Sequence, residues 1–188
     1  MIATTRIGPR TGGRRPGFTL AEVLVTLAII AVMAAVLLPA LNSQLSKGDT
    51  GRLASDFTNI QTGVQAFVSD VHRYPATVAQ LTTALSGTPN DLLGVSIPAT
   101  LVAKWKGPYI TRDVGNTAGG AISTAFTSVA GGNGVNYLTV TVTGITPGDF
   151  ANIEAILDEG VAGASSTTGS IRYVSGSSTL TFLALPIQ

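Results

Sequence analysis

The sequence predicts an α+β fold, with a long N-terminal α-helix packed on an antiparallel β-sheet head that ends in a variable C-terminal region. Three observations carry this prediction. An apolar block fills residues 18–38. An apolar stripe at alternating four- and three-residue steps then runs from Leu53 to Val71, which is typical of an amphipathic helix. Strict alternation of apolar and polar residues over 135–143 indicates a half-buried strand.

The apolar block at residues 18–38 is long enough to cross a membrane. As a helix it spans about 31 Å, against a hydrocarbon core of about 30 Å. Residues 1–17 carry four arginines and no acid, so we expect a cytoplasmic N-terminus and export of the rest. The apolar core of a cleaved secretory signal is shorter than this block. A plain signal anchor is the other alternative. It does not explain why a carboxylate, Glu22, is placed in the membrane despite the cost.

The block is followed directly by Pro39, which removes a backbone hydrogen bond and clashes with the preceding turn. We therefore expect a kink or local melting at Pro39. A second weak point is expected near Gly48 and Gly51. One helix, with a break, is predicted over 18–71: a transmembrane part at 18–38 and an amphipathic part at 39–71.

The amphipathic part is expected to lay its apolar stripe against a sheet and to turn its polar side chains away. A free coiled coil is the alternative, but the stripe is short and lacks flanking charged positions. The stripe comprises Leu53, Phe57, Ile60, Val64, Phe67 or Val68, and Val71, and the polar face comprises Arg52, Ser55, Asp56, Asn59, Gln61 and Gln65.

Residues 72–188 are predicted to form a soluble globular head. The helix should end before Pro75, because the residue before proline disfavours α geometry. A Thr77–Gln80 capping box predicts a short helix. The partner expected for the strand at 135–143 is 121–129.

Further along, the predicted elements are a helix and a closing hairpin. Proline at the first helical position starts the helix at Thr146-Pro147, and Gly160 should stop it. Its buried face is expected to hold Phe150, Ile153, Ile156 and Leu157. The hairpin is formed by residues 171–174 and 180–185.

Composition argues against catalysis and against nucleic-acid binding. The chain has no cysteine and one histidine, His72, which excludes disulfides, histidine-based metal sites and the usual catalytic triads. Beyond residue 17, 7 basic residues face 10 acidic ones, so the head lacks a basic nucleic-acid footprint. Asp158 and Glu159 are interpreted as a solvated helix end, and Trp105 as a core residue rather than a recognition patch. No enzyme activity, cofactor or metal site is predicted.

The residues Gly17-Phe18-Thr19-Leu20-Ala21-Glu22 resemble the prepilin peptidase site of type IV pilins and type II secretion pseudopilins. The resemblance implies a leader at 1–17, cleavage after Gly17 and N-methylation of Phe18. It also implies that Glu22 meets the N-terminal amine of a neighbouring subunit during assembly, with pairing inside one chain as the alternative. Many pilins have a proline at the place of Pro39, which implies a role in filament elasticity.

Two shorter segments resemble the major pseudopilins of type II secretion. One is Asp70 followed by Arg-Tyr-Pro, and the other is the W-x-G-P-Y pattern at 105–109. Beyond Thr111 the chain departs from that group: the second Trp-Gly-x-Pro-Tyr element and the aspartate-rich calcium loop of some members are missing. The resemblance therefore does not extend to a calcium site.

These resemblances imply a structural subunit of a type IV pilus-like filament. It would assemble with itself and other pilins after prepilin peptidase cleavage, at an inner-membrane assembly platform. The implied location is the bacterial inner membrane, as a single-pass protein, and then an extracellular or periplasmic filament. A pseudopilin of a type II secretion system is the first alternative, and a membrane-anchored adhesion or binding module the second. A DNA-uptake filament would need a local basic patch such as residues 104–106.

Overall fold

The computed structural model describes residues 17–111, 114, 116–117, 120–132, 134–158 and 169–188. Most of the predicted leader at 1–17, the predicted solvated position of Glu159 and the predicted helix stop at Gly160 lie outside these residues. The chain divides into two compact units, Met1–Asn42 and Ser43–Gln188, and each is described by itself.

The predicted long helix is confirmed: α1 spans Leu20–Val71, 52 residues. Its helical backbone is unbroken at Pro39, Gly48 and Gly51, so the predicted local melting is not observed. Proline removes one backbone hydrogen bond and crowds the preceding turn, but neither effect ends the helix here. The hydrogen bonds on either side hold the remaining turns.

In the first unit, the described residues are exposed throughout. The most apolar 18-residue window of α1 has a mean hydropathy of 2.8, and none of that window is buried within the chain. By length and composition α1 is the one helix in the described chain that could cross a membrane. The apolar side chains of α1 in this unit are therefore exposed in the part of the chain that the structure describes.

In the second unit, the predicted stripe of α1 is buried. Asp56 was predicted on the polar face, but it is only 1% exposed. The reason is angular, because position 56 lies about 40° around the helix from Ile60, at the margin of the stripe. The buried stripe residues are Leu53, Phe57, Ile60, Val64, Phe67 and Val71.

Three further helices lie in the head: α2 (Ala79–Thr82), α3 (Ala99–Val102) and α4 (Pro147–Leu157). The predicted Thr77 cap is wrong, since the N-cap residue is Val78 and no side chain caps α2. The Gln80 side chain nevertheless accepts a hydrogen bond from the Ala76 N–H at 2.7 Å.

The start of α4 matches the prediction. The Thr146 hydroxyl accepts the Asp149 N–H at 3.2 Å, and Pro147 is the first helical residue. The predicted buried face is wrong at Ile156, which is 52% exposed, whereas Phe150 and Ile153 are buried.

The sheet has six antiparallel strands within the described residues. In space they follow the order β1-β2-β4-β6-β5, and β3 also pairs with β4. A short 3-10 turn at Ser175–Ser177 joins the last two strands. The strands are β1 (Asn116–Thr117), β2 (Gly120–Ile122), β3 (Thr127–Ala130), β4 (Asn136–Thr143), β5 (Ile171–Val174) and β6 (Thr179–Pro186).

The partner predicted at 121–129 is two strands, β2 and β3, both beside β4. Between them the chain leaves the sheet. The Phe126 N–H bonds to Ala76 O, and Ala125 forms a bridge with Thr77. The segment after α1 thus competes with β4 for these backbone groups.

The core lies between α1 and the sheet. Leu138, Val140 and Val142 of β4 are fully buried, as predicted, but the alternation fails at Thr139, which is also fully buried because its hydroxyl donates to Thr127 O of β3 at 3.0 Å. The rings of Phe57 and Phe182 stack with centroids 4.8 Å apart and join helix to sheet. The α+β fold class is therefore confirmed.

Candidate functional site

The N-terminal turn of α1 forms a reciprocal capping box between Thr19 and Glu22. The Glu22 N–H donates to the Thr19 hydroxyl oxygen at 3.2 Å. The Thr19 N–H and hydroxyl both donate to Glu22 Oε2 at 3.3 Å. Thr19 was not singled out in the sequence, although its T-x-x-E spacing is the signature of this motif.

This geometry gives the Glu22 carboxylate partners within its own chain. Backbone N–H groups and the helix dipole favour a negative charge at a helix N-terminus. They therefore offset part of the cost of a carboxylate placed near the end of a membrane span. If Glu22 contacts the N-terminal amine of another subunit, that contact must either replace the hydrogen bonds from Thr19 or form in addition to them.

The predicted cleavage junction is open. Phe18 is 87% exposed. A Cβ atom built on Gly17 would meet no non-neighbouring described atom within 4 Å. A peptidase reaching the Gly17–Phe18 bond would meet no obstruction from the described part of the chain. Pro39 lies inside α1, 17 residues after Glu22. It is therefore close neither to Glu22 nor to the Gly17–Phe18 junction.

A second cluster joins the end of α1 to the W-x-G-P-Y segment. The Tyr109 hydroxyl donates to Asp70 Oδ2 at 3.0 Å and accepts the Lys106 N–H at 3.0 Å. Lys106 Nζ lies 3.6 Å from Asp70 Oδ1. The Tyr109 ring packs edge-on against Phe67. We call these residues, Asp70, Lys106 and Tyr109, the Asp70 cluster.

Trp105 is a packing residue at the edge of the core, as interpreted from the sequence. Its indole N–H donates to Gln80 O at 2.9 Å, and its ring meets Tyr109 edge-on at 5.6 Å. A Cβ on Gly107 would lie 2.5 Å from the Trp105 ring. This close approach explains why glycine stands between these two aromatic residues.

Two carboxylates have clear tethering roles. Asp149 accepts hydrogen bonds from the hydroxyls of Ser46 and Thr146, which ties α4 to α1. Asp158, interpreted as part of a solvated helix end, instead accepts the Ser170 N–H at 3.2 Å and the Ile171 N–H at 3.1 Å. The interpretation of Asp158 was wrong because its partners come from β5 and the residue before it, 12 and 13 positions away in sequence.

Two groups have displaced pKa values. Burial is the largest influence on Tyr109 and raises the pKa of its phenol; the neighbouring Asp70 carboxylate acts in the same direction, while hydrogen bonds from Lys106 and Gly107 oppose them. For Asp149, burial alone would raise the pKa. The hydrogen bonds from Ser46 and Thr146 outweigh burial and lower that pKa.

Neither cluster has the makings of a metal centre. The described residues hold no group of three or more histidine, cysteine, aspartate or glutamate side chains placed to bind a metal ion. The arrangement combines an accessible predicted cleavage junction, a capped acid at the start of an exposed apolar helix segment, and an α4 tied to α1.

The comparisons with known proteins match this N-terminal arrangement. Residues 13–38 match the family model described as the prokaryotic N-terminal methylation motif. This range contains Gly17, Phe18 and Glu22. No solved structure matches the chain.

The curated relatives are type II secretion system core proteins G. The chain is 32% identical to the protein of Pectobacterium carotovorum subsp. carotovorum over 68 residues, which is 36% of this chain and 44% of the relative. The Escherichia coli K12 protein is also 32% identical over 68 residues, 36% of this chain and 47% of the relative. The Aeromonas hydrophila protein is 33% identical over 64 residues, 34% and 45% of the two chains. The chain thus spans less than half the length of these relatives.

Proposed function

We propose that the chain belongs, through its N-terminal segment, to the type IV pilin and pseudopilin family and that it acts as a pseudopilin of a type II secretion system. Membership of this family implies that the chain is first anchored in a membrane and then assembled into a filament. The secretion role is the finer step. From the sequence alone, the secretion role was the first alternative to a pilus subunit. The names of the relatives favour the secretion role over the pilus role.

The observation that carries the proposal is the contrast between the uncovered apolar helix and the accessible acid at its start. Residues 20–42 are exposed among the residues that the structure describes, so lipid or other subunits would have to cover their apolar side chains. Exposed Phe18 and capped Glu22 stand at the first turn, where a cleaved chain would present a new amine. Opposite charges attract strongly in such a low-dielectric setting.

Within this proposal, prepilin peptidase cuts after Gly17, Phe18 is methylated, and the Glu22 carboxylate draws the amine of a neighbouring subunit into register. The head then serves as a structural building block and not as an enzyme. The topology that follows has the N-terminus in the cytoplasm and the head outside the inner membrane.

The processing step is tested by mass spectrometry of the mature protein. We expect a chain that begins at Phe18 and carries one N-terminal methyl group. The Gly17→Leu variant should remain uncut in the membrane fraction, whereas Gly48→Leu, a glycine substitution away from the junction, should be processed normally. A wild-type protein that keeps its first 17 residues would refute the proposal.

The assembly step is tested by Glu22→Ala and the secretion role by deletion of the gene. Glu22→Ala should abolish filaments while the protein stays in the membrane, with Glu154→Ala as a control acid in the head. Deletion should stop the export of secreted hydrolases and leave surface pili intact. Loss of surface pili with normal export of hydrolases would instead support the role as a pilus subunit. Filaments that form normally with Glu22→Ala would support the anchored binding module.

A further inference from the structure

The strand β5 lies at one edge of the sheet. It is last in the spatial order of the strands, and β6 is the strand that pairs with it among the described residues. A strand in this position presents backbone N–H and C=O groups with which another chain can pair, and native proteins block such edges. The sequence of β5, Ile-Arg-Tyr-Val, consists largely of β-branched and aromatic residues, which favour strand pairing. The outer edge of β5 therefore needs protection.

The direction of one peptide group shows where this outer edge begins. The Ser170 carbonyl accepts the Leu183 N–H of β6 at 2.8 Å, so this carbonyl faces β6. In a trans peptide the carbonyl of one residue and the N–H of the next point in opposite directions. The Ile171 N–H therefore points away from β6. Since the direction repeats at every second residue of a strand, the Tyr173 N–H also faces outward.

A carboxylate occupies the first outward position of this edge. Asp158, the residue directly after α4, accepts the Ile171 N–H through Oδ2 at 3.1 Å. Its Oδ1 accepts the Ser170 N–H at 3.2 Å and also the Ser170 hydroxyl. Ile171 is only 1% exposed, so its backbone is closed to water while the carboxylate is in place. Another strand could pair with the Ile171 N–H only after Asp158 had moved away.

The surrounding residues leave room for this carboxylate and supply no other charge at the edge. Gly169 has a left-handed φ of 88°, and a Cβ on it would lie 2.6 Å from Asp158 Oδ2. The charged residue of β5 itself, Arg172, reaches across the sheet. Its guanidinium donates to Ala130 O of β3 at 3.0 Å and to Gly131 O at 2.9 Å. Arg172 therefore does not guard the outer edge of its own strand.

We propose that Asp158 is an edge guard: its carboxylate, held at the end of α4, closes the outer edge of β5 and keeps strands of other chains from adding to the sheet. A charge that points inward at an edge strand is one of the ways in which proteins prevent such pairing. The guard depends on α4, because the Asp158 N–H bonds to Glu154 O of that helix at 2.9 Å. The inference goes beyond the proposed function, because it concerns the single subunit before any assembly.

Removal of the carboxylate tests the guard in the full chain in detergent. In Asp158→Ala, amide exchange at Ile171 should become about tenfold faster or more, because a charge-assisted hydrogen bond is lost. The Leu183 amide, on the side of β6, should keep its protection. Analytical ultracentrifugation should show concentration-dependent association beyond that of wild type. Gly169→Ala, which pushes the carboxylate out by another route, should give the same two changes.

A second substitution shows whether the association uses the edge of β5. Val174 is 51% exposed on β5, and a lysine on an edge strand prevents pairing. Adding Val174→Lys to Asp158→Ala should therefore abolish the association while the Ile171 amide still exchanges fast. The matched control is Ile156→Lys in the same background, since Ile156 is 52% exposed but lies on α4. This control should leave the association unchanged.

Three results would overturn the edge guard. They are a wild-type Ile171 amide that exchanges as fast as in Asp158→Ala, a variant with a fast Ile171 amide that associates no more than wild type, and association that persists with Val174→Lys. If Asp158→Ala unfolds the head, as loss of Leu183 protection would show, Asp158→Asn decides instead. Its single acceptor oxygen should give association between wild type and Gly169→Ala, and wild-type behaviour in both measurements would overturn the guard.

Discussion

The two parts of α1 form one continuous helix but differ in how their apolar side chains are covered. Residues 20–42 are exposed all round, whereas in the second unit the stripe from Leu53 to Val71 is buried almost completely. Apolar residues occupy every side of the first part and one side of the second. A helix that is apolar all round needs an external apolar environment, while a single stripe is satisfied by its own sheet. The head should therefore be stable by itself, and the first part only in lipid or in a polymer.

The largest expected effect that separates the two parts is on the stability of the head. Phe57→Ala removes a fully buried ring that stacks on Phe182, and should destabilise the head by about 3–5 kcal/mol. Leu27→Ala in the first part removes an exposed side chain and should leave that stability unchanged. Denaturant unfolding of the full chain in detergent, followed by the Trp105 fluorescence, measures both. Equal losses would contradict the division.

Glycines sharpen the comparison at single positions. A Cβ on Gly63 would lie 2.6 Å from Ile110 Cγ1, so Gly63→Ala should destabilise the head by about 1–3 kcal/mol through overpacking. A Cβ on Gly48 meets nothing within 4 Å. Gly48→Ala should therefore stabilise the helix by about 0.5–1 kcal/mol. Thermal unfolding compares the two variants, and a stabilising Gly63→Ala would show that the helix can move away from Ile110.

A smaller effect is expected from the Asp70 cluster. Tyr109→Phe removes one hydrogen bond to Asp70 and one from Lys106 while keeping the ring, so a loss of about 0.5–1.5 kcal/mol is expected. Because the folded pKa of Tyr109 lies above 10.0, the wild-type advantage is complete below pH 10 and declines as the pH rises through the folded pKa. Urea midpoints of both proteins from pH 7 upward test this. A pH-independent difference would contradict it.

The smallest effect concerns the tether between α1 and α4. The folded pKa of Asp149 lies below its ordinary 3.8, so its stabilising effect is present above that pH and is lost as the pH falls through the folded pKa. Wild type should therefore lose more stability than Asp149→Asn between pH 5 and strongly acid solution. Acid titration of both proteins followed by circular dichroism checks this, and equal losses in the two proteins would contradict it.

The sequence predicted the structure correctly where a local pattern alone determines it. The stripe on α1, the alternation in β4 and the Thr146-Pro147 helix start were predicted, because periodicity and capping are local. Asp56 and Ile156 were placed on the wrong side. Their burial depends on which elements pack at the margins of a helix face, and this is not written in the helix itself.

The candidate site shows the same division. The T-x-x-E motif is local, so its cap at Thr19 was available from the sequence. The role of Asp158 in tying α4 to β5 depends on partners 12 and 13 residues away in sequence, which no local pattern indicates. The roles of Gly17, Phe18, Glu22 and Pro39 remain predictions, because they concern a peptidase and neighbouring subunits.

The order of the strands has a consequence for how the head is made. β6 lies between β4 and β5, yet it follows both in the chain. A nascent head that has emerged only as far as β5 cannot close its sheet, because β5 has no neighbour and β4 lacks one side. If the head crosses the membrane after its anchor, beginning with the residues nearest the anchor, its sheet stays open until residues 179–186 have crossed. A head that lacks β6 therefore cannot complete its sheet, and we expect only the full chain to form the packed core.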